Sequence, residues 1–130
     1  PPNLSKTMFF LEQIQFIGLI FATLLLALGL SIIVELGVAS LFIRDQKRWS
    51  LIIVLINVLT NLPLNWFITL FYWKDIFTLQ FPLIWLMEGI VVLVEWKLLV
   101  YSIKGSSQKM FWLSLIMNIV SYLTGRLVFP

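Results

Sequence analysis

Between Glu12 and Glu35 the chain carries no charged residue, and between Arg48 and Lys74 it again carries none. Runs of this length restrict the fold class more than any other feature. A helix that crosses about 30 Å of hydrocarbon needs about 20 mostly apolar residues. Four stretches meet that need: 14–43, 50–73, 81–102 and 110–128. In a bilayer the backbone has no water to bond to, so only helices or closed barrels satisfy its amides. No barrel-like alternation is present. The expected fold is therefore all-α, a bundle of four transmembrane helices arranged as two tandem helical hairpins. The segments between the spans (44–49, 74–80 and 103–109) are too short to hold a soluble domain. Residues 1–130 are thus expected to form a single integral membrane domain.

Composition narrows the chemistry. Hydrophobic residues make up 61% and charged residues 12%, against roughly 45–50% and about 25% in soluble domains. There is no cysteine and no histidine. That removes disulfides, thiol chemistry, Cys/His zinc sites, histidine bases and histidine-ligated haem. No glycine-rich phosphate loop, Gly-x-Ser-x-Gly elbow or metalloprotease pair occurs. The expectation is a protein that is not an enzyme, with no catalytic residues, no cofactor and no metal. The net charge of +3 is scattered, so no nucleic-acid partner is expected.

The first run is long for one crossing. Its roughly 30 residues extend roughly 45 Å, so it must tilt or begin along the interface. It is not expected to be a cleaved signal, because it exceeds an h-region of about 7–15 residues and no cleavage site follows it. Lys and Arg counts suggest orientation. Arg44, Lys47, Arg48, Lys104 and Lys109 share one side, and Lys97 can snorkel to it. Lys6, Lys74 and Arg126 mark the other. Loops 44–48 and 104–109 are therefore expected in the cytoplasm and both termini outside, in the inner membrane of a bacterium or archaeon. Trp49, Trp66, Tyr72, Trp73, Trp85, Trp112 and Tyr122 fall mostly near span ends, where such rings anchor at interfaces.

The chain also repeats itself. Val34-Glu35 precedes Arg44 by the same interval at which Val94-Glu95 precedes Lys104. Beyond each loop, Asn57-Val58-Leu59-Thr60 matches Asn118-Ile119-Val120-Ser121. The Glu residues are offset by 60 (35 to 95) and the Asn residues by 61 (57 to 118). Two spans per unit preserve topology, which makes this a parallel repeat with its axis along the membrane normal. Each Glu and each Asn stands nine residues from a basic loop residue, roughly 13 Å below one interface. Within each hairpin, Glu and Asn are therefore expected to bond at matched height.

Polar residues fall on faces. Asn57, Thr60, Asn61 and Asn65 share one side of the second span, with Pro63 freeing the carbonyl of Leu59. Ser114, Asn118, Ser121 and Gly125 form a similar face on the fourth. Glu88 and Glu95 stack on the third, while Lys97 points away from both. On the first, Ser31 and Glu35 coincide, and Gly18, Ala22, Ala27, Gly29, Gly37 and Ala39 permit close helix approach.

Ionisable residues at a helix centre cost about 2.5–3.5 kcal/mol on insertion scales and are functional-site candidates. The candidate intramembrane polar site is Glu35, Asn57, Asn61, Glu88, Glu95 and Asn118. None of the polar side chains available to the carboxyls is cationic, so at least one is expected to hold a proton at neutral pH. The leading expectation is a small transport component handling a proton, a cation or a small polar solute. The alternative is a non-catalytic structural or assembly subunit of a larger membrane complex, with the Glu–Asn layer as helix-packing glue. Expected partners are the lipid bilayer and either further copies of the chain or other membrane subunits, because four helices rarely enclose a pathway alone.

Overall fold

The computed structural model describes the backbone of residues 4–43, 46–73 and 77–129, and their side chains except at 46–47, 70–73 and 77–81. Arg44, Asp45, Lys74 and Asp75, with the side chains of Lys47, Tyr72 and Trp73, lie outside the described residues. Four helices account for nearly all of the rest: α1 (Leu4–Phe42), α2 (Gln46–Trp73), α3 (Phe77–Ile103) and α4 (Ser107–Val128). Among the described residues there is no strand. The helices exceed the expected spans at most ends, because the polar flanks continue the helical hydrogen bonding.

Each helix lies against its neighbours in sequence, and α4 closes the ring against α1. The diagonal pairs do not meet among the described residues. Side-chain pairs such as Glu35 with Asn57 and Glu95 with Asn118 make consecutive helices antiparallel. The result is an all-helical bundle of four helices.

The turn between α3 and α4 shows how the second hairpin closes. Lys104 takes a φ of 52°, and its N–H bonds the carbonyl of Val100 at 3.1 Å. This is a left-handed cap in which a non-glycine residue pays a steric cost. Gly105 follows because Met110 folds over it. A Cβ there would lie 2.8 Å from the tip of that side chain.

Length and composition make three helices apolar enough to cross a membrane: α1, residues 48–69 of α2, and α4. The described part of α3 does not reach the same measure, since it contains Glu88, Glu95 and Lys97. Burial runs opposite to that of a soluble bundle. The buried set includes Glu35, Asn57, Thr60, Asn61, Glu95, Ser114 and Asn118, while Leu26, Ile33, Leu51, Leu59, Leu86 and Leu127 are exposed. Apolar side chains outside and hydrogen-bonded polar ones inside suit lipid as solvent.

The helices are unequal. α1 has 39 residues and α4 has 22, or about 58 Å against about 33 Å. Because Ser31 meets Ser121, the first five turns of α1 pass the end of α4. This explains the overlong first run, which continues as one helix. Gly18, Gly29 and Gly37 have open space where a Cβ would stand. No described part of the chain takes up the close approach that these three glycines permit, while Ala39 is buried in the core.

Candidate functional site

Two carboxyls lie at the centre of the bundle. Glu35 is 1% exposed and Glu95 is 0% exposed. In the first hairpin, Nδ2 of Asn57 donates to Oε2 of Glu35. In the second, Nδ2 of Asn118 donates to Oε2 of Glu95. These are the two pairs that the repeat places at matched height. The interval of nine residues from each loop sets the axial level, and the antiparallel packing does the rest.

Further bonds join one hairpin to the other. Thr60 Oγ1 on α2 lies 2.8 Å from Oε1 of Glu95 on α3. The residue equivalent to Thr60 in the second unit is Ser121, and the residue equivalent to Glu95 is Glu35. Ser121 Oγ lies 2.7 Å from Ser31 Oγ, and Ser31 in turn lies 3.2 Å from Oε1 of Glu35. The pseudo-twofold link is thus direct on one side and relayed through one hydroxyl on the other. Asn61 adds a bond from Nδ2 to Oδ1 of Asn57 at 2.6 Å. Ser114 Oγ lies 2.9 Å from the carbonyl of Val92 and 3.4 Å from Oε2 of Glu95. Among the described residues, no buried side-chain nitrogen or oxygen lacks a partner.

Hydrogens are scarce in this layer. Thr60 has one hydroxyl hydrogen, yet its oxygen lies 2.9 Å from the carbonyl of Ile56 as well as 2.8 Å from Glu95. With an ionised Glu95 those two acceptors compete for one hydrogen. A carboxyl proton on Oε1 donates to Thr60 and removes the competition. Among the described residues, no lysine or arginine acts on Glu35, Glu88 or Glu95. The described residues hold no group of three or more carboxylates close enough for a metal ion.

A cavity of about 310 Å³ begins at this layer and runs along the bundle axis to the end of α4. All four helices line it. Ser31, Asn61, Asn118 and Ser121 form its floor, Glu88, Asn65 and Tyr122 its wall, and Arg126 and Phe129 its mouth. From Asn118 to Phe129 the depth is about 16 Å at the helical rise. On the far side of the layer the interior is apolar. Ala39, Ile43, Ile53, Ile56, Leu99, Met110, Leu113 and Met117 form a continuous core. Ser31, Asn61, Asn118 and Ser121 of the layer thus face the cavity, and an apolar core lies on the layer's other side.

The six residues singled out in sequence share one region but not one environment. Glu35, Asn57, Asn61, Glu95 and Asn118 form the buried network. Glu88 is only partly buried and makes no hydrogen bond or ion pair among the described residues. It faces the cavity instead. Lys97 lies over the Trp96 ring at 4.4 Å, away from the carboxyls. Sequence reasoning missed the links between hairpins and the place of Arg126 at the cavity mouth. The match of Thr60 to Ser121 within the repeat was the available signal for the first. Arg126 gave no signal, because a basic residue at a span end is ordinary. The aromatic placement is only partly interfacial in effect, since Trp85 and Tyr122 also contact each other at 5.5 Å beside the cavity.

Comparison with protein-family models, with curated proteins and with solved structures finds no match to this chain.

Proposed function

We propose that this chain is a four-span integral membrane protein acting as a small transport component. It handles a proton, a cation or a small polar solute through Glu35, Glu88 and Glu95. The observation that carries this reading is the cavity: it is lined by Glu88 and by Ser31, Asn61, Asn118 and Ser121 of the layer that encloses Glu35 and Glu95, and an apolar core lies beyond. A site reached from one side and closed from the other is the resting half of an alternating pathway. Asn57, Asn61 and Asn118 orient the carboxyls. Hydroxyls of Thr60, Ser31 and Ser121 supply groups that can give or accept a hydrogen when a carboxyl changes protonation state.

α3 crosses with the others in this reading. It packs between α2 and α4, and its carboxyls face the interior or the cavity rather than lipid. Loops 44–48 and 104–109 lie in the cytoplasm on the balance of Lys and Arg. The cavity mouth then opens to the outside. Four helices leave the seal only a few side chains thick, so the pathway is completed by a second copy or a partner subunit.

A structural reading has one observation of its own. Among the described residues every buried side-chain nitrogen and oxygen has a partner, and the N-terminal half of α1 exposes many apolar side chains. That combination also suits an assembly subunit clamped internally by Glu–Asn pairs and docked through α1. Reconstitution separates the two. Glu35→Gln and Glu95→Gln are measured singly in vesicles for pH-dependent proton or cation flux, beside thermal stability in detergent. Loss of flux with an intact fold supports transport. Unchanged flux with an intact fold, or loss of stability alone, supports the clamp.

A further inference from the structure

The two halves of the repeat match at the Glu–Asn layer and part company in the cavity. Counting back along the repeat, Glu88 on α3 stands where α1 has Leu28 (offset 60). Arg126 on α4 stands where α2 has Asn65 (offset 61). Both charged positions line the cavity, and neither residue makes a hydrogen bond or ion pair among the described residues. The fold does not need these charges, since the other unit does without them. Glu88 carries the cost of an ionisable group in a membrane-embedded wall, and Arg126 adds the opposite charge at the cavity mouth. Groups of that kind, left unpaired on one cavity, are complementary to a ligand rather than to the protein.

We infer that the cavity takes a small zwitterion, with its ammonium held at Glu88 and its carboxylate at Arg126. This names the solute class for the transport reading above and rests on it. Glu88 lies seven residues along α3 from Glu95, and Arg126 eight residues along α4 from its partner Asn118, so both charges stand on the cavity side of the layer, about 10 and 12 Å from it at the helical rise. A cavity of about 310 Å³ admits a small amino acid between them. Asn65, Tyr122 and Ser121 line the space between the charged ends and can bond the carboxylate or the ammonium.

The test uses the full chain in detergent, titrated calorimetrically with γ-aminobutyrate, ε-aminocaproate, glycine, butylamine and butyrate. At least one of the three zwitterions is expected to bind at least about tenfold more tightly than butylamine or butyrate. Glu88→Leu and Arg126→Asn each restore the residue that the repeat carries at that position, so both are expected to fold. Each should weaken zwitterion binding at least about tenfold while leaving thermal unfolding of the empty protein near that of the parent. Failure of all three zwitterions to bind the folded parent overturns the inference. So does binding that is unchanged in either variant, or equal binding of butylamine. Zwitterion binding that depends on both residues without any flux in vesicles keeps this site and removes the transport reading. Glu35- and Glu95-dependent proton flux without zwitterion binding does the reverse.

Discussion

Replacing Glu95 by leucine and by glutamine separates the shape of the carboxyl from its charge. Glu95 has no exposure and meets Thr60, Ser114 and Asn118. Glu95→Leu removes all three contacts and leaves Nδ2 of Asn118 with only the carbonyl of Ser114 at 2.9 Å. Hydrogen bonds between membrane helices average about 0.6 kcal/mol each and reach about 1.7. Three contacts therefore set a loss of about 2 kcal/mol, with the poorly aligned Ser114 contact at 3.4 Å contributing least. Glu95→Gln keeps the volume and supplies an amide. Its nitrogen, placed at the Oε1 position, donates to Thr60 Oγ1, and its oxygen still accepts from Asn118. The hydrogen count at Thr60 then closes as it does with a protonated carboxyl, and the expected loss is within about 0.5 kcal/mol. Reversible unfolding in mixed detergent micelles, read by circular dichroism, measures both variants. A Glu95→Gln protein as unstable as Glu95→Leu refutes the reasoning, because it shows that the layer needs a negative charge at Glu95.

The relayed link on the other side of the pseudo-twofold axis makes a second case. Ser121→Ala removes one contact of 2.7 Å and is expected to lower stability by about 0.6–1.7 kcal/mol. Ser31→Ala, which also loses Glu35 and Asn57, should cost more in the same unfolding assay. Leu113 is fully buried in the apolar seal. Leu113→Ala is expected to cost about 2–5 kcal/mol and to raise the passive proton leak of reconstituted vesicles. Lys104→Gly, at the left-handed cap, is expected to stabilise by about 0.4–1 kcal/mol in thermal unfolding. A loss of stability there would show that the Lys104 side chain contributes more than its backbone strain costs.

Legibility in the sequence followed the strength of the physical constraint. Helix existence was readable because lipid leaves the backbone no alternative, and uncharged runs of that length have no other use. The Glu35–Asn57 and Glu95–Asn118 pairs were readable for a different reason. A fixed interval from a charged loop sets depth, and depth alone aligns two antiparallel helices. Rotation about the helix axis was less accessible. The faces carrying Thr60 and Ser121 were visible, but the order of helices around the ring was not, so their reach to the opposite hairpin was missed. The small residues of α1 allow close approach without naming the neighbour, and Gly18, Gly29 and Gly37 face open space within the chain. Arg126 was hidden by the rule that basic residues end spans. Only the unequal length of α4 places it at a cavity mouth.

The repeat itself explains why the site lies at one end. The units of the sequence repeat match at the level of Glu35 and Glu95, where amides, hydroxyls and carboxyls join in one network. Towards Ile43 and Lys104 the interior is a dry core that includes Ile43, Ile53, Leu99 and Leu113. Towards the opposite end the copies differ. Leu28 is set against Glu88, Asn65 against Arg126, and Asn61 against Tyr122. Side chains of unequal size and charge cannot fill a symmetric space, so that end stays hollow. Glu88, Tyr122 and Arg126, which line the cavity, are thus positions at which the two units of the repeat differ.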